Sequence, residues 1–127
     1  MNQESGKIRS FSDLEAWRIS HEIVLEVYKL TQKFPREELF GLTNQLRRAA
    51  VSVTSNIAEG FSRGSYKEKV QFYAMALGSL TETESQIFVA RDVLYITKSQ
   101  FNMIAEKLSK ANKILNGLIK KSRSYCS

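Results

Sequence analysis

Residues 42–60 read Leu42-Thr43-Asn44-Gln45-Leu46-Arg47-Arg48-Ala49-Ala50-Val51-Ser52-Val53-Thr54-Ser55-Asn56-Ile57-Ala58-Glu59-Gly60, and their periodicity decides the fold. Together with Leu39, the apolar residues Leu42, Leu46, Ala50, Val53 and Ile57 recur at three- and four-residue steps, the repeat of a helix with one buried face. The helix is predicted from near Glu37 to about Phe61, against the weak helix propensity of Val51, Val53 and Thr54. Beside the apolar stripe runs a second line, Gln45, Arg48, Ser52, Ser55 or Asn56, and Glu59, small and polar at roughly heptad spacing. Polar seams on helices commonly set register and partner choice, so this one is predicted to pack against a helix or a second subunit. Arg48, Asn56 and Glu59 are expected to be at least partly buried and hydrogen-bonded across that boundary. The run Arg47 to Thr54 has the flavour of a helix-turn-helix. It has no glycine at the would-be turn and the apolar stripe crosses it unbroken, so one continuous helix is expected.

Working outward, three more helices follow from period and punctuation. Ser12-Asp13-Leu14-Glu15 reads as a capping box opening a first helix, which Pro35 stops by lacking an amide hydrogen and disfavouring helical backbone at Phe34. Leu14, Trp17, Val24, Val27, Tyr28, Thr31 and Phe34 give this helix a wide apolar face that suggests burial on more than one side; the aromatic residues Trp17, Tyr28 and Phe34 are expected in the core. After Gly60 to Gly64, Ser65-Tyr66-Lys67-Glu68 is a second capping box. The helix behind it is predicted to reach about Tyr95, with Phe72, Tyr73, Ala76, Leu77, Leu80, Ile87, Ala90 and Leu94 apolar. Gly78 in its middle costs up to about 1 kcal/mol, which a close helix–helix contact would justify. Thr97-Lys98-Ser99-Gln100 caps a fourth helix to about Lys121, whose apolar arc is Phe101, Ile104, Leu108, Ala111, Leu115, Leu118 and Ile119. The fold class is therefore all-α, an antiparallel up-down-up-down four-helix bundle. One domain over residues 1–127 is expected, with 1–11 and 122–127 as loose ends.

Composition narrows the function. The chain is 43% hydrophobic and 25% charged, too close to the globular average for wholesale disorder. No apolar run reaches the ~18 residues of a membrane span, and residues 1–10 lack the apolar stretch of a signal peptide, so a cytoplasmic protein is expected. The lone cysteine, Cys126, leaves no internal disulfide. The single histidine, His21, rules out a multi-histidine metal site and leaves little acid–base chemistry. A di-iron bundle needs Glu-x-x-His on two helices, and the residue three before His21 is Arg18. Pairing of His21 with Cys126 as base and nucleophile is a remote arrangement, and a packing role for the histidine is expected. No enzyme, cofactor or metal is expected.

The charge is concentrated. Of 19 Lys and Arg against 13 Asp and Glu, residues 98–127 hold seven bases and one acid, Glu106, so residues 1–97 are balanced. Lys107, Lys110, Lys113, Lys120 and Lys121 share the side of the fourth helix opposite its apolar arc, with Met103 and Ile114 intruding. A basic face of this kind suits the phosphates of a polyanion; its plain alternative is a solvated surface.

Gln45-Leu46-Arg47-Arg48-Ala49, Ser52 and Asn56-Ile57-Ala58-Glu59-Gly60-Phe61 together resemble the signature of the four-helix-bundle proteins encoded in rRNA intervening sequences, often called ribosomal-protein-like. Leu14-Glu15-Ala16-Trp17, Phe34-Pro35 with Glu38, and Ala76-Leu77-Gly78-Ser79-Leu80 with Glu82 extend the resemblance over roughly Phe11 to Leu118. It implies a left-handed antiparallel bundle that assembles as a ring, typically a homopentamer. It is similar also to small basic pentameric accessory proteins of diversity-generating retroelements, which bind nucleic acid and a reverse transcriptase. The expected function is a non-enzymatic homo-oligomer that binds nucleic acid, RNA first, through the lysine face. The alternative is a protein-interaction scaffold such as a reverse-transcriptase accessory.

Overall fold

The computed structural model describes residues 7–126. It is all-helical. Four long helices, α1 (Glu15–Thr31), α2 (Leu42–Phe61), α3 (Tyr66–Asp92) and α4 (Lys98–Arg123), are joined by short breaks, with 3-10 turns at Phe11–Asp13 and Arg36–Glu38. The helices pack around one core in the cyclic order α1, α2, α3, α4, leaving α2 and α4 as diagonal partners. Ile23, Val27, Leu46, Val53, Ile57, Leu80, Ile87, Ile104 and Leu115 are all but completely buried, with contributions from every helix. Each such side chain contributes about 1.5–3 kcal/mol when removed from water. Burial of these periodic positions, more than local propensity, holds α2 helical through Val51, Val53 and Thr54.

Contacts run in opposite order along neighbouring helices. Gly60 of α2 abuts Tyr73 of α3, while Ser52 meets Ser79 further along. Glu22 of α1 meets Lys107 of α4, and earlier Leu14 and Ala16 share a groove with the later Ile114 and Leu118. α2 runs unbroken through residues 50–54, as its stripe requires and a helix-turn-helix would not allow.

The boundaries differ from the sequence reading in ways with local causes. The capping box expected at Ser12 and Glu15 forms two residues earlier. The Ser10 hydroxyl accepts from the Ser12 amide, and Asp13 accepts from the Ser10 amide, closing the first 3-10 turn. α1 then starts at Glu15 with Leu14 as an N-cap that offers no side-chain bond. α2 starts at Leu42 rather than near Glu37, because Glu37 belongs to the second 3-10 turn; the Glu38 carboxylate reaches forward to the Leu42 amide at 3.0 Å. α3 ends at Asp92, short of Tyr95. Leu94 takes φ +68°, and the Tyr95 amide returns to the Ala90 carbonyl at 2.8 Å, the Schellman ending usually built on glycine. Leu94, expected to be apolar packing, is 86% exposed. Of the ends expected to be loose, residues 1–6 and 127 lie outside the described residues, whereas Ser10 caps the first turn and Ser122 is buried in the last turn of α4.

Among the described residues of one chain Gly78 makes no close helix contact: a Cβ there would meet nothing within 4 Å. Gly60 permits the close approach of α2 to α3: a Cβ there would lie 2.8 Å from the Tyr73 ring and 3.0 Å from Phe72 Cβ. Phe34 is core and half-buried Trp17 packs against the core, whereas Tyr28 is 41% exposed.

Candidate nucleic-acid interface

α4 begins with the capping box read from the sequence: the Gln100 amide donates to Thr97 Oγ1 at 3.1 Å and the Thr97 amide to Gln100 Oε1 at 2.8 Å. Ile104, Leu108, Ala111, Leu115 and Ile119 are buried against the other helices. Helical spacing then turns Lys110, Lys113, Lys120 and Lys121 outward, and all four are exposed with no ion-pair partner among the described residues. Lys107 differs. It is half-buried, and its ammonium donates to Glu22 Oε1 of α1 at 3.0 Å, so much of its charge is answered within the chain. Exposed Glu106 sits beside it. The open positive surface is thus the distal half of α4, from Lys110 to Arg123 at its end. Met103 stands 52% exposed near Lys98 and Glu106, whereas Ile114 packs against the core.

The polar seam of α2 lies on the far side of the molecule from this face. Ser52 Oγ is 2.8 Å from Ser79 Oγ of α3, and Asn56 Nδ2 donates to the Ser52 carbonyl and hydroxyl at 2.9 and 3.1 Å. Ser52 therefore joins α2 to α3, while Asn56 bonds within its own helix. Gln45, Arg48 and Glu59 are exposed. Glu59 pairs with Arg63 one turn on, and Arg48 has no partner among the described residues. The expectation that Arg48 and Glu59 are buried and bonded between helices is thus not met within one chain: both project from the outer side of α2. Gln45, Arg48 and Ser52 share a groove with Glu82 of α3, and Arg48 also borders a hollow with Tyr28, Arg47 and Val51.

Two ties went unread in the sequence. Arg47, beside Arg48, is the residue that binds helices together: its Nε donates to Thr31 Oγ1 of α1 at 2.8 Å and its guanidinium lies 4.6 Å from the Tyr28 ring centroid. Glu38 latches one end of the bundle. Oε1 caps the Leu42 amide and Oε2 accepts from the Tyr95 hydroxyl at 2.8 Å, and these two bonds, the amide first, hold its carboxyl below the usual range. Such long-range partners leave no periodic signal, though the Glu38 carboxylate four residues before an uncapped helix start is a local hint.

His21 stacks on Trp17 at 4.6 Å, a packing role, and the Cys126 thiol points to the Ser122 carbonyl at 3.8 Å. No hydrogen bond joins them among the described residues, nor does any group of three or more His, Cys, Asp or Glu side chains gather there as a metal site. No helix among these residues is long and apolar enough to cross a membrane.

Residues 12–117 match the model of the 23S rRNA-intervening sequence protein family, and the chain belongs to that family. A similar solved structure is the crystal structure of a protein of unknown function from the S23 ribosomal protein family of Bacteroides thetaiotaomicron. It is 25% identical, with a TM-score of 0.76, and the match covers 83% of this chain and 95% of that one. No curated protein matches the chain.

Proposed function

We propose that this protein is a non-enzymatic, antiparallel four-helix bundle that assembles into a ring of identical copies, a pentamer first, and holds nucleic acid, chiefly RNA, through the phosphate backbone. One observation carries the reading: the chain's whole excess of positive charge lies on α4, where Lys110, Lys113, Lys120 and Lys121 stand exposed and unpaired among the described residues. Ammonium groups on flexible stems suit phosphates and discriminate poorly between bases.

Assembly through the opposite side supports the same reading. The outer side of α2 carries Arg48 without a partner among the described residues, bordering a hollow with exposed Tyr28 of α1 and exposed Val51. Because α2 and α4 are diagonal, copies joined along the α2 side keep every lysine face open, and a ring multiplies a modest patch into a multivalent one.

The test is equilibrium binding of RNA and DNA of unrelated sequence at low salt, beside light scattering of the free protein. Similar affinity for all sequences, lost when Lys110, Lys113, Lys120 and Lys121 become glutamine, and a mass several times the 14.5 kDa chain are expected. Absence of retention at low salt overturns polyanion binding and leaves the face a solvated surface, favouring a scaffold whose partner is another protein, a reverse transcriptase among them. A clean monomer at micromolar concentration overturns the ring.

A further inference from the structure

The end of the bundle where α4 finishes bears more than charge. Tyr66, the first residue of α3, and Tyr125, just beyond α4, stand with ring centroids 4.9 Å apart and planes tilted by 40°. They remain 43% and 55% exposed, and neither hydroxyl has a hydrogen-bond partner among the described residues. A pair that served only to clasp α4 to α3 would gain most by burying its faces and satisfying its hydroxyls.

One cation stands against the pair: Lys69 Nζ lies 5.9 Å from the Tyr66 ring centroid while donating to the Phe61 carbonyl at 2.6 Å. Exposed Lys67 follows Tyr66 in the chain, and exposed Lys121 and Arg123 precede Tyr125 within about one helical turn. Exposed rings interleaved with positive charge are what an unpaired nucleobase needs: a π-face to stack on and ammonium groups for the flanking phosphates. A duplex keeps its bases stacked inside and offers the rings nothing beyond its backbone.

We propose that Tyr66 and Tyr125 form a base-stacking platform that continues the lysine face of α4, so that this protein engages unpaired nucleotides, in a single strand or an exposed loop or end of a folded RNA; this rests on the polyanion reading of α4. Lysines supply the strand-independent attraction, and the tyrosine pair adds a contact that only unstacked bases can make.

The experiment measures the affinity of the full chain for one RNA as a single strand and as its duplex, at fixed salt. Tyr66→Leu with Tyr125→Leu is expected to weaken single-strand binding about tenfold and leave duplex binding unchanged. Tyr66→Phe with Tyr125→Phe keeps the rings and is expected to retain single-strand affinity. Should the leucine pair fail to fold, a single strand carrying 2-aminopurine gives the same answer with the wild type: quenching on binding supports stacking, and unquenched binding overturns it. Equal loss for both strand forms, or loss for neither, overturns the platform, while continued weakening by the lysine substitutions shows that the α4 reading survives. If the wild type retains no nucleic acid even at low salt, the α4 reading fails and takes the platform with it.

Discussion

Gly60→Ala isolates the tightest contact between α2 and α3. An added Cβ would sit 2.8 and 2.9 Å from two carbons of the Tyr73 ring and 3.0 Å from Phe72 Cβ, well inside the roughly 3.5–4.0 Å of ordinary carbon contact. The ring cannot step aside, because Tyr73 is 2% exposed and held by the core. Overpacking of this kind costs about 1–3 kcal/mol, while alanine at Gly60, next to last in α2, returns less than the roughly 1 kcal/mol it gains in a helix interior. The net loss expected is about 1–2 kcal/mol. Gly78 and Gly117 supply the control, since a Cβ at either meets nothing within 4 Å. Their alanine variants are expected to gain up to about 1 kcal/mol. Urea unfolding at one fixed protein concentration reads all three, the midpoint moving while the slope stays constant. The difference between Gly60→Ala and the controls is chiefly the steric term, with a smaller part from the position of Gly60 in the last turn of α2. If Gly60→Ala proves as stable as Gly78→Ala, the α2–α3 approach described above is wrong.

Three further outcomes follow from single residues. Leu94→Gly, at φ +68° and 86% exposed, is expected to raise stability by about 1 kcal/mol, because glycine enters the left-handed region without the Cβ clash; a lower melting temperature would show that the leucine contributes a contact. Glu38 has its carboxyl held low by the Leu42 amide and then the Tyr95 hydroxyl, so its contribution is present above the ordinary value of 4.5 and is lost as pH falls through the lower folded value. Acid titration of thermal stability should accordingly be less steep below that point in Glu38→Gln, and identical curves would contradict the latch. Arg48→Ala is expected to leave secondary structure and single-chain stability within about 0.5 kcal/mol of wild type while lowering the mass seen by light scattering, and unchanged assembly would remove Arg48 from the contact between copies.

What was legible in the sequence was whatever repeats or sits next to its partner. The stripe Leu42, Leu46, Ala50, Val53, Ile57 gave α2 its buried side, and Thr97 with Gln100 marked the start of α4, because both signals are confined to one helix. Leu94 was misread since a Schellman ending normally announces itself with glycine, and leucine at that position looks like one more apolar repeat. Tyr28 has the helical spacing of a core residue, although an amphipathic ring can stack beneath Arg47 at the surface. The lysine face was visible as spacing on α4. That Lys107 is spent on Glu22 was not, because the partner lies on another helix. The same limit hid the pairing of Tyr66 with Tyr125, which only the packing of α3 against α4 brings together.

The most direct test of the account is the salt dependence of single-stranded RNA binding by the wild type and by the chain with Lys110, Lys113, Lys120 and Lys121 replaced by glutamine. Each phosphate neutralised on a single strand adds about −0.7 to the slope of log K against log salt concentration. If all four lysines meet phosphates, the glutamine variant should show a slope shallower by about 3, with a helical spectrum and melting temperature like those of the wild type. An unchanged slope and affinity in that folded variant would contradict the central claim and move the polyanion site off α4.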